Sequence, residues 1–323
     1  MIKYLLAYRE MGELAKALGE SMATQDSTTL VPKHIEWNRF ENNYPNLFIP
    51  KVEEIDGSDV VFLANLEKPE TIFEQLAIIH ALPRYGVRSL TIVLPYFPTG
   101  TMERVDNEGQ VATAMTLARL LSATPLTMNG PARIVIFDIH ALPERFYFGD
   151  AVIPQLVSAI PLLKSRLVKF AEETDDPLAI CFPDEGARKR FGNMFPGYPQ
   201  IICDKIRDGN SRNVVIKEGD PRGYHVVIVD DLVISGGTTN ECKKVLFANG
   251  AAAVSAYVTH PAFPQKSWKR FIERDPEGLN FSNFWITDSC PNTVSEIFSY
   301  NKHQGHGPFE VLSLVDPLLE MLS

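Results

Sequence analysis

The stretch VIVDDLVISGGTT, residues 227–239, joins an apolar run to two adjacent aspartates, two glycines and two threonines. The apolar run is typical of a buried strand in a parallel sheet. The residues that follow, TNECKKVLFANG, have the apolar spacing of a helix that ends at Gly250. Ligands of parallel α/β sheets bind beyond the carboxyl ends of the strands, which is where this turn would lie. The stretch therefore predicts a strand, a ligand-binding turn and a helix.

Strand-like and helical patterns alternate along both halves of the chain. In the first half the runs that predict strands are DVVFLANL (59–66), SLTIVLPYF (89–97) and ARIVIFDIH (132–140), with helical patterns at 71–86 and 108–123. In the second half the strand-like runs are 178–183, 201–206, 225–231 and 252–260. This alternation is typical of βαβ units. We predict an α/β chain of two tandem domains, each a mostly parallel sheet flanked by helices: residues 1–160, joined by the C-terminal segment 308–323, and residues 161–307.

Composition favours a globular enzyme over a nucleic-acid-binding or membrane protein. The chain has 323 residues, of which 45% are hydrophobic and 22% charged, and its formal net charge is −9. A net negative charge argues against sequence-independent binding to a phosphate backbone, which needs an excess of Lys and Arg. No run approaches the ~18 consecutive apolar residues of a membrane helix. The start turns polar too soon for a signal peptide, and the four cysteines are scattered, as in proteins of a reducing compartment. We predict a cytoplasmic enzyme.

Residues 235–239 combine the features of a phosphate-binding turn. Glycines let several backbone N–H groups converge, and the start of a helix adds a positive dipole. The candidate phosphate-binding residues are Ser235, Gly236, Gly237, Thr238 and Thr239. Asp230 and Asp231 suit sugar hydroxyls or Mg²⁺, so the whole stretch predicts a site for a ribose 5-phosphate moiety. The alternative is an ordinary turn with an acidic helix cap, but two adjacent carboxylates would then repel each other without compensation.

Two further strand ends carry candidate metal ligands. In FDIH (137–140), Asp138 and His140 are two residues apart, which predicts that both side chains leave the same face of the strand. Together they could hold a divalent metal that also contacts a nucleotide phosphate; a structural role for His140 is the alternative. In FPDEGARKR (182–190), Asp184 is either a metal ligand or the N-cap of the next helix.

A long polar segment after the strand at 201–206 begins with two cations. Lys205 and Arg207 alternate onto one side of the chain in CDKIRDGNSRNVVIKEGDPRG, residues 203–223. The part beyond them has the composition of a mobile loop. Lys and Arg on such a loop suit charge stabilisation in phosphoryl transfer. A solvated loop without function is the alternative.

These motifs, in this order, resemble those of ribose-phosphate diphosphokinase, or phosphoribosyl pyrophosphate (PRPP) synthetase, over nearly the whole chain. LPYFPTGTMER is similar to the family's segment ahead of the nucleotide site, FDIHA to its metal motif and FPDEGA to its second metal segment. DKIR is similar to the start of its catalytic flexible loop, and VIVDDLVISGGTT to the PRPP-binding loop of type I phosphoribosyltransferases. The resemblance implies two tandem type I phosphoribosyltransferase-like domains.

The resemblance also implies a reaction and its residues. A diphosphoryl group would move from ATP, or another nucleoside triphosphate, to O1 of ribose 5-phosphate with the help of Mg²⁺, giving PRPP and AMP. The implied metal residues are Asp138, His140 and Asp184, and the implied catalytic residues are Lys205 and Arg207. Asp230, Asp231 and residues 235–239 would bind ribose 5-phosphate. The implied nucleotide contacts are Phe40, Asn42, Glu103, Arg104 and His140. Family members assemble through the first domain, which implies a homo-oligomer.

Departures from the family pattern indicate its class II, plant-type branch. Ile234 stands where most members have a third acid, and Thr101 and Met102 stand where they have an Arg-Gln pair for the nucleotide. The N-terminal loop that reaches adenine in a neighbouring subunit is FENNYPN here. Members of this branch are phosphate-independent and less selective for the nucleotide, which implies the same for this chain.

Two other functions stay open at this point. A phosphoribosyltransferase that consumes PRPP would share only the 227–239 loop and would not need the FDIH segment. A non-catalytic regulatory subunit associated with PRPP synthetase would account for the lost Arg-Gln pair and third acid. Such a subunit, however, has no physical need for His140, Lys205, Arg207 and both aspartates.

Overall fold

Two sheets divide the chain into two structural units. The computed structural model describes residues 2–22, 29–208, 211–273, 278–304 and 307–322, with the backbone alone at 205–208, 211–213, 303 and 304. The first unit comprises Met1–Ser158 and Leu314–Ser323, and the second comprises Ala159–Ser313.

A six-stranded parallel sheet forms the first unit. Its strands, in the order in which they pair, are β2 (Thr29–Pro32), β1 (Ile2–Ala7), β5 (Asp59–Leu63), β6 (Ser89–Val93), β7 (Ala132–Phe137) and β8 (Val152–Val157). An antiparallel hairpin of β3 (Glu36–Arg39) and β4 (Pro45–Phe48) is separate from this sheet. The helices are α1 (Gly12–Met22), α2 (Pro69–Ala81), α3 (Thr113–Ser122) and, at the end of the chain, α8 (Val315–Leu322).

Alternate residues of the central strands build the core of the first unit. Phe62 of β5, Ile92 of β6 and Ile134 of β7 are fully buried in one cluster, together with Ile79 of α2 and Leu117 of α3. A parallel sheet covered on both faces requires apolar residues at almost every strand position. This requirement explains why the strands of this unit read as continuous apolar runs.

Prolines end two elements of the first unit earlier than their apolar runs predict. The strand predicted to reach residue 97 ends at Val93, two residues before Pro95. The helix predicted to reach residue 86 ends at Ala81 and passes into a 3-10 turn, Leu82–Tyr85, that contains Pro83. Proline has no N–H with which to continue the helical bonds.

A seven-stranded sheet forms the second unit. Its order is β11 (Ser211–Glu218), β10 (Gln200–Asp208), β9 (Leu178–Phe182), β12 (His225–Val233), β13 (Ala253–Pro261), β14 (Phe284–Thr287) and β15 (Phe309–Leu312). Neighbouring strands are parallel except β10 and β11. The helices are α4 (Ile160–Glu173), α5 (Glu185–Phe191), α6 (Gly237–Ala248) and α7 (Pro291–Gln304). The predicted α/β class, with two mostly parallel sheets flanked by helices, is confirmed.

Two segments of the second unit differ from their predicted structure. Ser211–Glu218 is a strand where the sequence predicts a loop, because its backbone pairs with β10. Phe309–Leu312 pairs in parallel with β14 and so belongs to the second sheet. The C-terminal segment that joins the first unit therefore begins at Leu314, not at residue 308.

The four cysteines are buried free thiols, as expected for small apolar core residues. Among the helices of the described residues, none is long and apolar enough to cross a membrane.

Candidate active site

The turn between β12 and α6 is shaped by one glycine. Gly236 has a φ of +74° and precedes the first residue of α6, and a Cβ atom at this position would lie 2.3 Å from Cζ of Phe271. Only glycine combines this left-handed backbone with such close packing. Ser267 Oγ holds the turn from the other side by donating to the carbonyl of Ile234 at 2.8 Å.

The start of α6 offers backbone donors to an anion. The first N–H groups of a helix have no acceptor within the helix, and the N-cap residue of α6 is Gly236, which has no side chain to cap them. Ser235 is exposed and Thr238 half-buried, whereas Thr239 is buried. Hydroxyl-bearing residues thus lie at the amino-terminal, positive end of a 12-residue helix, beside its first amides, and such an end suits a phosphate.

Asp230 and Asp231 lie near the carboxyl end of β12 in different electrostatic surroundings. Asp230 is half-buried, and Asp231 is 5% exposed. The backbone N–H of Asp231 donates to Oδ1 of Asp230 at 2.9 Å. Burial, followed by the nearby carboxylates of Asp231 and Asp184, raises the pKa of Asp230 well above its ordinary value.

Arg190 of α5 supplies the positive charge that the aspartate pair requires. Its Nη1 lies 3.3 Å from Oδ2 of Asp231. Sequence reasoning does not single out this residue, although the basic helix in FPDEGARKR is visible in the sequence. Nothing in the local pattern indicates which of the three cations of that helix turns toward β12.

Asp184 is the N-cap of α5. Its Oδ1 accepts a hydrogen bond from the backbone N–H of Ala187 at 3.0 Å. The same carboxylate raises the pKa of Asp230, so its charge acts at the end of β12. Capping and a contribution to a cation site are compatible roles for this residue.

The two predicted catalytic cations lie on a hairpin. Lys205 pairs with Val214 and Arg207 with Arg212 in the antiparallel ladder of β10 and β11. Strand periodicity directs residues two apart to the same face of the sheet. The side chains of Lys205 and Arg207 lie outside the described part of the structure.

In the first unit, Asp138 and His140 do not extend from one strand face as predicted. β7 ends at Phe137, and Asp138 adopts a φ of +33°, so the strand alternation stops between the two residues. Asp138 is buried, and its Oδ1 accepts a hydrogen bond from Ser158 Oγ at 2.6 Å. His140 is exposed.

The loop that contains Glu103 and Arg104 packs beside His140. A Cβ atom at Gly100 would lie 3.1 Å from Cβ of His140, so the two backbones are in close contact. Tyr147 donates through its hydroxyl to the carbonyl of Glu103. Arg104 is exposed and lies 3.2 Å from the carboxylate of Asp106. The structure thus brings Glu103, Arg104 and His140 into one region.

Phe40 and Asn42 lie elsewhere in the first unit, in the turn of the β3–β4 hairpin. Both are exposed. Oδ1 of Asn42 accepts a hydrogen bond from the N–H of Tyr44 at 3.3 Å. The hairpin is tied to α2 by the ion pair of Arg39 and Glu74, at 2.9 Å. An exposed aromatic ring at a hairpin turn suits stacking against another ring.

We expect Gly236→Ala to lower the free energy of unfolding by about 2–4 kcal/mol, because it combines a left-handed backbone with a clash against Phe271. Gly237→Ala is the matched control, since its nearest neighbour would be Ser235 Oγ at 3.7 Å. Urea denaturation of both variants measures the difference. Equal stabilities would contradict the role assigned to Gly236.

We expect Asp230→Asn to stabilise the protein without ligands, by an amount that depends on pH. A raised pKa means that the folded state holds the Asp230 proton more tightly than the unfolded state. Wild-type stability should therefore fall relative to the variant as the pH rises above about 4 and level off past the folded pKa. Urea denaturation between pH 4 and 9 tests this, with the exposed Asp175→Asn as control. A difference that is constant or reversed with pH would refute it.

Comparison with known proteins identifies the family. The family described as "N-terminal domain of ribose phosphate pyrophosphokinase" matches residues 5–124. "Ribose-phosphate pyrophosphokinase 3, chloroplastic" of Oryza sativa subsp. japonica is 52% identical over 97% of this chain and 74% of its own length. "Ribose-phosphate pyrophosphokinase 4" of Arabidopsis thaliana is 50% identical over 97% of this chain and 89% of its own length.

A solved structure shows the same fold at low identity. The phosphoribosylpyrophosphate synthetase from Mycobacterium smegmatis superposes with a TM-score of 0.79 at 21% identity, and the match covers 100% of this chain and 98% of that one. The predicted family, its plant-type branch and the prediction of an enzyme are confirmed by these matches. The chain belongs to the ribose-phosphate pyrophosphokinase family.

Proposed function

We propose that this protein transfers a diphosphoryl group from ATP, or from another nucleoside triphosphate, to O1 of ribose 5-phosphate, forming PRPP and AMP. The observation that carries the proposal is the turn at 235–239, where helix amides and hydroxyls follow two aspartates at a strand end. Family membership supports it independently. Because phosphoryl transfer depends on positioning and charge neutralisation, the roles of the residues follow from their charges.

The second unit would bind ribose 5-phosphate. The 5-phosphate would accept hydrogen bonds from the amides and hydroxyls of residues 235–239, and the sugar hydroxyls would donate to Asp230 and Asp231. The phosphate is remote from O1, so the free energy of binding it would serve to orient the attacking oxygen.

Magnesium would be held at strand ends in each unit. Asp138 and His140 are the candidate ligands in the first unit, and Asp184 is the candidate ligand in the second unit. Burial and the neighbouring carboxylates of Asp231 and Asp184 disfavour ionisation of Asp230, and a divalent cation would relieve this effect. Bound magnesium would neutralise charge on the triphosphate and orient it.

The first unit would bind the nucleotide. Phe40 and Asn42 are exposed on the β3–β4 hairpin, where the ring is accessible to a base. Glu103, Arg104 and His140 share a second region of that unit. Thr101 and Met102, at the positions of the family's Arg-Gln pair, support a looser choice of nucleotide and activity without inorganic phosphate.

Assembly and location are part of the proposal. We expect a homo-oligomer, with no nucleic acid or membrane partner, in line with the net charge of −9. The cytoplasmic location stays a prediction from the sequence; the rice relative is named chloroplastic.

We expect the purified chain alone to form PRPP and an equimolar amount of AMP from ATP, ribose 5-phosphate and Mg²⁺, without a nucleobase. Chromatography of the products measures both. A panel of nucleoside triphosphates, each with and without inorganic phosphate, should show activity with several donors and no requirement for phosphate. Absence of PRPP with every donor would favour the non-catalytic subunit, and PRPP consumption that requires a nucleobase would favour a phosphoribosyltransferase.

We expect Lys205→Ala to lower kcat about 10²–10³-fold, because a cation that stabilises charge only in the transition state is removed. The KM for ribose 5-phosphate should change little. Steady-state kinetics measures both constants. Lys217→Ala is the matched control, since Lys217 is an exposed cation of the same hairpin whose Nζ lies 3.7 Å from Glu185. Comparable losses in kcat and in sugar binding would refute the assigned role.

A further inference from the structure

The sequence motifs do not indicate the ion pair of Arg190 and Asp231. We propose that Arg190 is a positioning residue for the sugar: it holds the carboxylate of Asp231 in the orientation in which that carboxylate accepts hydrogen bonds from the hydroxyls of ribose 5-phosphate. The inference rests on the proposed function and adds a residue to the same site.

Two contacts restrict the guanidinium of Arg190. Its guanidinium Nη1 lies 3.3 Å from Oδ2 of Asp231, and the two side chains are only 14% and 6% exposed. The guanidinium carbon lies 4.8 Å from the ring centroid of Phe191, which is fully buried in a core cluster of the second unit. An arginine held against a buried ring has little freedom to follow a moving partner. It therefore sets the position of the carboxylate.

The two adjacent aspartates, Asp230 and Asp231, have different neighbours. Asp230 accepts a hydrogen bond from the backbone N–H of Asp231 at 2.9 Å. Asp231 instead lies against a guanidinium. A carboxylate has several lone pairs, so one contact with a guanidinium does not use all of its capacity to accept hydrogen bonds. Of the two aspartates, Asp231 is therefore the one whose carboxylate is already oriented to accept sugar hydroxyls before the ligand binds.

Stability alone does not explain the ion pair of Arg190 and Asp231. Removing two charges from water costs several kcal/mol per ion, and a well-packed apolar pair often stabilises a fold as much or more. This pair lies near the carboxyl end of β12, the edge of a parallel sheet where ligands bind. An ion pair at that place is better explained by orientation of a ligand than by stability.

The test compares Arg190→Met, which removes the charge at similar length, with Arg190→Lys, which keeps the charge but loses the planar fork. Lys189→Ala, at an exposed cation of the same helix, is the matched control. We expect Arg190→Met to weaken ribose 5-phosphate about 10–100-fold, both as Kd by calorimetry and as KM. The KM for the nucleotide should stay within about twofold. Arg190→Lys should recover part of the loss, and Lys189→Ala should behave as wild type.

A double-mutant cycle separates action through Asp231 from direct contact with the sugar phosphate. If Arg190 acts through Asp231, Arg190→Met should weaken binding only slightly in an Asp231→Asn background. A full additional loss would mean that Arg190 contacts the ligand directly, and would overturn the inference.

Other outcomes are equally decisive. Unchanged binding of ribose 5-phosphate by Arg190→Met, or a lowered melting temperature with unchanged binding, would make the pair merely structural and overturn the inference. If Arg190→Met does not fold, Arg190→Lys is tested instead, and we expect it to weaken binding of ribose 5-phosphate by about 3–10-fold. A wild-type protein that binds ribose 5-phosphate but makes no PRPP would refute the proposed function alone.

Discussion

Adjacent carboxylates at the end of a buried strand repel each other, and the second unit is arranged around that repulsion. Asp230 and Asp231 lie near the carboxyl end of β12, and Asp184 adds a third negative charge to the same place. Arg190 offsets part of this charge through Asp231. Burial, together with the remaining negative charge, raises the pKa of Asp230, which makes the unliganded protein less stable at neutral pH than it would otherwise be. A site that accumulates charge in this way is prepared for donors and cations supplied by ligands.

Both units use the same solution for placing polar groups at the edge of an apolar sheet. In each, a largely buried parallel strand has one or two aspartates at or just after its carboxyl end, and the chain then turns away from the sheet. In the second unit the turn depends on the left-handed Gly236, packed against Phe271. In the first unit Asp138 itself takes a left-handed conformation and is held by Ser158. A non-glycine residue in this conformation is strained, and such strain is concentrated at functional positions.

The comparisons agree with this division between scaffold and site. The fold persists at 21% identity to a solved structure, because a parallel sheet tolerates exchange among apolar residues of suitable volume. The two plant relatives, which are 50–52% identical over 97% of the chain, are both named ribose-phosphate pyrophosphokinase. Departures such as Ile234, which is exposed beside the turn at 235–239, lie outside the apolar core.

The sequence by itself determined the elements whose signals are local. Apolar runs specify the buried strands, helical spacing specifies α2, α3 and α6, and Gly236 with its neighbours specifies the turn, because each depends on residues close together in the chain. The tertiary structure alone decided which distant segments meet. The pairing of Ser211–Glu218 with β10, the addition of β15 to the second sheet and the contact of Arg190 with Asp231 all depend on non-local geometry. Strand periodicity also failed at Asp138, because one change of φ ends the alternation on which it relies.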